Sequence, residues 1–131
     1  MTLPSVICDP HHHLWDLPKS RYLVADLRAD LATVPSVTST VFVECSAWYR
    51  ESGPQHLRSV GETEWVAANG GPVVRGIVGT TDLRLGTLTD EALHAHIAAA
   101  GGRFRGIRQR ATWDASPVSY THLTLPTNRE V

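Results

Sequence analysis

The stretch "STVFVEC", Ser39 to Cys45, is rich in β-branched residues and apolar on both faces. A strand of that kind is stable where both faces of a sheet are covered, which points to a parallel sheet flanked by helices. Upstream, "VADLRADLATV" (Val24 to Val34) follows Leu23, so that Leu23, Leu27, Leu31 and Val34 recur every three or four residues before Pro35. That period predicts an amphipathic helix lying outside the sheet. Earlier still, "SVICDP" (Ser5 to Pro10) reads as a short buried strand that opens into a loop at Asp-Pro.

Downstream, "QHLRSVGETEWVAAN" (Gln55 to Asn69) has Leu57, Val60, Glu64, Trp65 and Ala68 at helical spacing and stops at Asn69-Gly70-Gly71-Pro72. Leu57, Val60 and Trp65 are expected to pack this helix on the sheet. "VVRGIVGTTDL" (Val73 to Leu83) is a third predicted strand. A third helix is predicted in "TLTDEALHAHIAAAGGRF", N-capped by Thr89 and ended by Gly101-Gly102. "FRGIRQRATWD" (Phe104 to Asp114) is a fourth strand interrupted by Arg105, Arg108 and Arg110.

Strands alternating with helices over short connections argue for right-handed βαβ units, an α/β fold with a parallel sheet. Two closures satisfy that order. One is an open doubly wound sheet of four strands; the other is the first half of a (β/α)8 barrel, whose full ring takes about 250 residues.

The 131 residues are 42% hydrophobic and 19% charged, a globular composition. Twelve Lys and Arg against thirteen Asp and Glu leave a net charge of -1, with no basic stripe that would suit nucleic acid or an anionic membrane. A small molecule is the expected ligand. Cys8 and Cys45 form neither a disulfide framework nor a zinc knuckle, which favours a reducing compartment. The sequence shows neither a signal-peptide pattern nor a membrane-spanning run, so a cytoplasmic location is expected.

The chemistry concentrates in "VICDPHHHLWD", Val6 to Asp16. In an extended segment His11 and His13 point one way and His12 the other. Such a pair can offer two imidazoles to one divalent cation, zinc or a relative, with further ligands from other strands. The competing reading is three surface histidines in a turn that bind nothing. Glu44, near the end of the second strand, could contact substrate or be satisfied by a neighbouring arginine. By alternation Arg108 shares a face with Phe104, Gly106 and Arg110, where it could clamp a carboxylate or lactone oxygen, or else form a salt bridge on the outer face. Trp48, Tyr49 and Arg50 could line a pocket mouth. His94 and His96, mid-helix, read as surface or interface residues.

"CDPHHHLWD", with its Asp-x-His-x-His-x-Trp pattern at Asp9, His11, His13 and Trp15, resembles the opening motif of the amidohydrolase-related branch of the amidohydrolase superfamily. These are metal-dependent hydrolases of TIM-barrel fold that include sugar and dicarboxylate lactonases. "FVECSAWYRESGPQHLRSVGETEWV", "GIVGTTDL" and "GGRFRGIRQRATWD" are similar to the next three strand regions of that family in the same order, so the likeness runs from Val6 to Ser116.

The resemblance implies that His11 and His13 are metal ligands, that His12 fills a variable position, and that Asp9 hydrogen-bonds an imidazole or backbone amides. It implies a divalent metal, zinc first, although some lactonases of the branch work without one. The reaction implied is water attack on a polarised carbonyl of a lactone or related ester or amide, with Glu44 and Arg108 as candidate catalytic residues and Trp48, Tyr49 and Arg108 as substrate contacts. The family's later histidines and its strand-eight aspartate have no counterpart in the chain. Residues 1–118 are therefore expected to be the N-terminal half of a barrel, from a parent that forms a homo-oligomer, and 119–131 an unrelated tail. Such a half is expected to be inactive alone and to associate through its open edges. The alternatives are a self-contained α/β metal- or ligand-binding module, and a decarboxylase of a sister branch.

Overall fold

The computed structural model describes Thr2 and residues 4–111. The 119–131 segment and the end of the fourth predicted strand lie outside the described residues. The elements in chain order are β1 (Ile7–His12), β2 (Trp15–Leu17), β3 (Ser20–Tyr22), α1 (Val24–Thr33), β4 (Val37–Val43), α2 (Val60–Asn69), β5 (Val74–Gly79), α3 (Thr87–Ala99) and β6 (Phe104–Ile107), with a 3-10 turn at Gln55–Leu57 before α2.

Strands β1, β4, β5 and β6 form one sheet in that order, and every pair in it is parallel. The order follows the chain without a reversal. A doubly wound sheet needs a reversal to send helices to both faces; here the helices stay together. Leu27 of α1 and Val66 of α2 share one buried cluster with Phe42, Val74 and Ile77 of the sheet and Ala100 at the end of α3. Phe42 and Ile77 are register partners and fully buried, and burying each side chain contributes about 2–3 kcal/mol.

Several expectations shift. The first strand runs through the histidines as far as His12 instead of ending before them. As an edge strand it tolerates Pro10, which has no N–H to donate. The second strand lies two residues earlier than expected, at Val37–Val43, and the third ends at Gly79. A small antiparallel hairpin, β2 with β3, follows the histidines and was not foreseen. Its ends are tied by Trp15 Nε1 donating to Ser20 Oγ at 2.9 Å.

Helix α2 turns a different face inward: Val60, Gly61, Glu62, Thr63 and Val66 are buried, while Glu64 is exposed. Helix α3 starts before Thr89, whose hydroxyl donates to the Asp82 carbonyl at 2.8 Å rather than capping the helix. Its end at Gly101 and Gly102, both in the left-handed region, is as expected. Among the described residues no helix is long and apolar enough to cross a membrane.

Candidate functional site

β1 and β4 together build the histidine pair. His12 pairs in register with Phe42 and turns to the helix side, where its Nε2 lies 2.8 Å from the Thr40 hydroxyl. Burial holds its pKa below the ordinary value. By alternation His11 and His13 face away from the helices. Their Nε2 atoms stand 3.3 Å apart and their rings meet edge to face.

His13 Nδ1 lies 2.7 Å from the Val43 carbonyl. A carbonyl only accepts, so Nδ1 carries a proton and Nε2 is the nitrogen turned to His11. Asp9 Oδ1 accepts from the His11 backbone N–H at 3.0 Å and fixes the turn of the chain below the pair. Two nitrogens bound at about 2.0–2.1 Å to one tetrahedral zinc stand about 3.3–3.4 Å apart. The pair fits that spacing, and His13 has the backbone support that metal-binding imidazoles commonly use. Among the described residues no group of three or more His, Cys, Asp or Glu side chains could hold a metal ion. The pair is two ligands and no more.

Consecutive carbonyls at the end of β4 serve opposite sides. Val43 turns to His13, while the Glu44 carbonyl accepts from an Arg108 guanidinium N–H and the Glu44 N–H donates to Val78 at 2.9 Å. Arg108 Nε also donates to Glu44 Oε1 at 3.0 Å, and Glu44 Oε2 accepts from the Ser46 N–H and the Tyr49 hydroxyl. Two residues singled out separately in the sequence thus form one ion pair, with the Glu44 side chain 5% exposed and that of Arg108 32%. The expected sharing of a face by Phe104 and Arg108 does not hold. Phe104 stacks on His96, a register shift interrupts the β5–β6 pairing, and Arg108 lies past the end of β6.

Tyr49 lines an open cleft of about 680 Å³ with Glu44, His56, Arg58, Asp82 and Gln109, between the loops that follow β4, β5 and β6. Burial and the nearby Glu44 and Glu62 carboxylates raise the Tyr49 pKa. Trp48 instead stacks on Trp65 of α2, ring centroids 4.0 Å apart, and donates Nε1 to the Leu14 carbonyl at 3.2 Å. Its ring is occupied in packing.

Two residues were missed or misplaced by the sequence reading. Glu62, 2% exposed, accepts through Oε2 from the N–H groups of Cys45 and Ala47 at 3.1 and 2.8 Å. Burial pushes its carboxyl up to about 7, and burial with the Glu62 charge pushes the Cys45 thiol up to about 12. Nothing in the sequence alone separates Glu62 from Glu64, two positions on. His96 is not a surface residue. It is fully buried, with Nε2 2.9 Å from the Thr80 carbonyl and Nδ1 2.8 Å from the Thr63 hydroxyl. Thr89, Ala92 and His96, on one face of α3, are its buried residues. His94 is exposed, as expected.

Comparison of the chain with protein-family models, curated proteins and solved structures finds no match.

Proposed function

We propose that this chain is the metal-binding half of a (β/α)8 hydrolase of amidohydrolase-related type, acting on a lactone or a related ester or amide. The observation that carries the reading is the His11–His13 pair, with Nε2 atoms 3.3 Å apart and the second ring held by Val43. The unreversed strand order with helices on one face supports the barrel, since that is how four consecutive βα units lie in a ring. The end of β4 is where a barrel enzyme keeps its active site.

His11 and His13 would hold the cation, which when bound would supply Lewis acidity toward a carbonyl and toward water. Arg108, kept in place by Glu44, retains N–H donors beyond those given to Glu44 and can orient a carboxylate or carbonyl oxygen. Tyr49 and Ser46 hold the Glu44 carboxylate still, so the pair is preorganised rather than mobile.

Calorimetric titration with Zn²⁺, paralleled by Co²⁺ absorption, tests the site. One equivalent per chain is expected, abolished by His11→Ala and by His13→Ala and kept by His94→Ala. No binding, or binding that survives both of the first two variants, overturns the metal site. Lactone hydrolysis by the 131-residue chain that is lost in His11→Ala would overturn the half-barrel reading.

A further inference from the structure

We infer that the end of the sheet opposite the histidines carries an anion site for a small phosphate-bearing molecule, formed by Arg28, Arg75, Arg103 and Arg105 around a pocket of about 470 Å³. The inference rests on neither the metal nor the barrel reading.

The four arginines are scattered in the sequence and meet only in the fold. They converge on the short segment from Gly71 to Arg75 that leads from α2 into β5. Arg103 Nη1 donates to the Gly71 and Val74 carbonyls at 3.3 and 3.2 Å, and its Nη2 donates to the Ala67 carbonyl. Arg105 Nη2 donates to the Arg75 carbonyl at 3.2 Å, and its Nη1 donates to the Gly102 and Phe104 carbonyls. Two glycines leave room for this gathering. A Cβ on Gly76 would lie 3.2 Å from Arg105 Cγ, so its absence lets that stem lie across β5, and a Cβ on Gly71 would lie 3.2 Å from Arg28 Nη2. Gly71, Arg75, Arg103 and Arg105 all line the pocket.

Carbonyl partners fix the guanidinium groups of Arg103 and Arg105 without neutralising them. Among the described residues none of the four arginines has a carboxylate at ion-pair distance; the ion pairs there belong to Arg50, His56, Arg84 and Arg108. Arg103 has a structural task, since it satisfies carbonyls at the end of α2, where the helix dipole favours a cation. That task needs one arginine. Arg28 and Arg75 are exposed and donate no side-chain hydrogen bond among the described residues.

Like charges gathered around one concavity repel one another, and a bound anion offsets that repulsion. Guanidinium groups offer paired N–H donors that match phosphate oxygens. A phosphate monoester or a diphosphate carries the two or more negative charges that such a cluster answers, and a concave pocket suits a small soluble molecule better than a flat bilayer. The strands are parallel and β5 has six residues, so the pocket and the histidine pair lie about 20 Å apart along the sheet.

Titration calorimetry of the full chain with inorganic pyrophosphate, at low ionic strength and without added metal, tests the inference. One equivalent per chain is expected. Arg28→Gln and Arg75→Gln should each weaken binding about tenfold. Arg21→Gln, which removes the same charge from the β2–β3 hairpin, and His11→Ala should leave it unchanged. Far-UV circular dichroism of the variants should match the parent. If either arginine variant fails to fold, NMR of the parent decides: pyrophosphate should shift the amide signals of Gly71 and Arg75 and leave those of His11 and His13 in place. No saturable binding, equal weakening by Arg21→Gln, or shifts confined to the histidines overturns the proposal. Sedimentation with phosphatidylserine vesicles that is lost in Arg75→Gln and not reversed by excess pyrophosphate would overturn it too, since the arginines would then serve a lipid surface.

Discussion

His11 and His13 aim their Nε2 atoms at each other across 3.3 Å, yet only His13 is anchored, through Nδ1 to Val43. The asymmetry separates two effects of substitution. His13 joins β1 to β4, and losing a hydrogen bond of that kind costs about 0.5–1.5 kcal/mol. His11 is exposed and lends the metal-free fold little. Urea denaturation without metal should therefore show His13→Ala weakened by about 1 kcal/mol and His11→Ala nearly unchanged. With Zn²⁺ present both should lose the ligand-linked rise in melting temperature. Equal losses without metal would mean that the Val43 contact does not hold the strands.

The Glu44–Arg108 pair gives a second expectation. Arg108→Ala leaves a carboxylate that is almost wholly buried with only the Ser46 N–H and Tyr49 hydroxyl as partners. Breaking a buried pair from one side costs about 3–5 kcal/mol, and the partial exposure of Arg108 brings this toward about 2–3. Adding Glu44→Gln should recover part of that loss, because the stranded charge goes with it. If the double variant is as unstable as the sum of the singles, charge is not what the pair contributes.

The fold and the site were legible in the sequence to different degrees. Periodicity located all three helices and the four sheet strands, because β-branched runs and three-four spacing report directly on which side chains are covered. The rotation of α2 was not legible: Glu64 and Glu62 are the same residue type two positions apart, and only the loop after β4 shows which carboxylate goes inward. The alternation argument for Arg108 failed because it assumes an unbroken strand, whereas pairing with β5 slips at Ile77 and Val78. His12 separated correctly from its neighbours: it is buried against Thr40 while His11 is exposed, although β1 ends at His12 and its pairing with β4 shifts between Asp9 and His12.

Glu62 makes stability depend on pH in an unusual direction. Its carboxyl is pushed up from about 4.5 to about 7 by burial. Between those values the folded chain binds more protons than the unfolded chain, so this group's contribution is full below about 4.5 and is lost as pH rises through about 7. The loss is about 3 kcal/mol over the whole range, of which about 2–3 falls between pH 5 and pH 8. Glu62→Gln can still accept from Cys45 and Ala47 but has no proton to lose. The stability difference between parent and variant should move in the variant's favour by about that amount from pH 5 to pH 8. A difference that does not change with pH would show that Glu62 is not buried as a titrating acid.

His96 works in the opposite sense. Burial lowers its pKa, and the Thr80 carbonyl fixes the neutral ring with its proton on Nε2. The unfolded chain then binds the proton more readily, so this contribution is full above about 6.5 and is lost as pH falls below it. Glu62 and His96 therefore oppose each other between about 4.5 and 6.5, with buried His12 acting in the same sense as His96. His96→Gln should gain stability relative to the parent as pH falls from about 6.5 to about 4.5, leaving more of the Glu62 slope exposed. A parent and variant that weaken in parallel from pH 7 to pH 5 would show that protonation of His96 is not what acid acts on.

Ser46 carries the last expectation, because it bears backbone strain while its side chain hydrogen-bonds Tyr49. Its φ is 63° and that of Trp48 is 59°, a left-handed conformation that costs a residue with a Cβ about 1–2 kcal/mol. Trp48 recovers the cost by stacking on Trp65 and bonding Leu14. The one contact of Ser46 with Glu44 is through its backbone N–H, which glycine also has. Ser46→Gly removes the strain and gives back about 0.5–1 kcal/mol through the greater freedom of glycine in the unfolded chain. Glycine also loses the Tyr49 contact, worth about 0.5–1 kcal/mol, so a net change within about 0.5 kcal/mol is expected in urea denaturation, with an unchanged m-value. A clear net loss would mean that the Tyr49 contact outweighs the backbone strain it is made with.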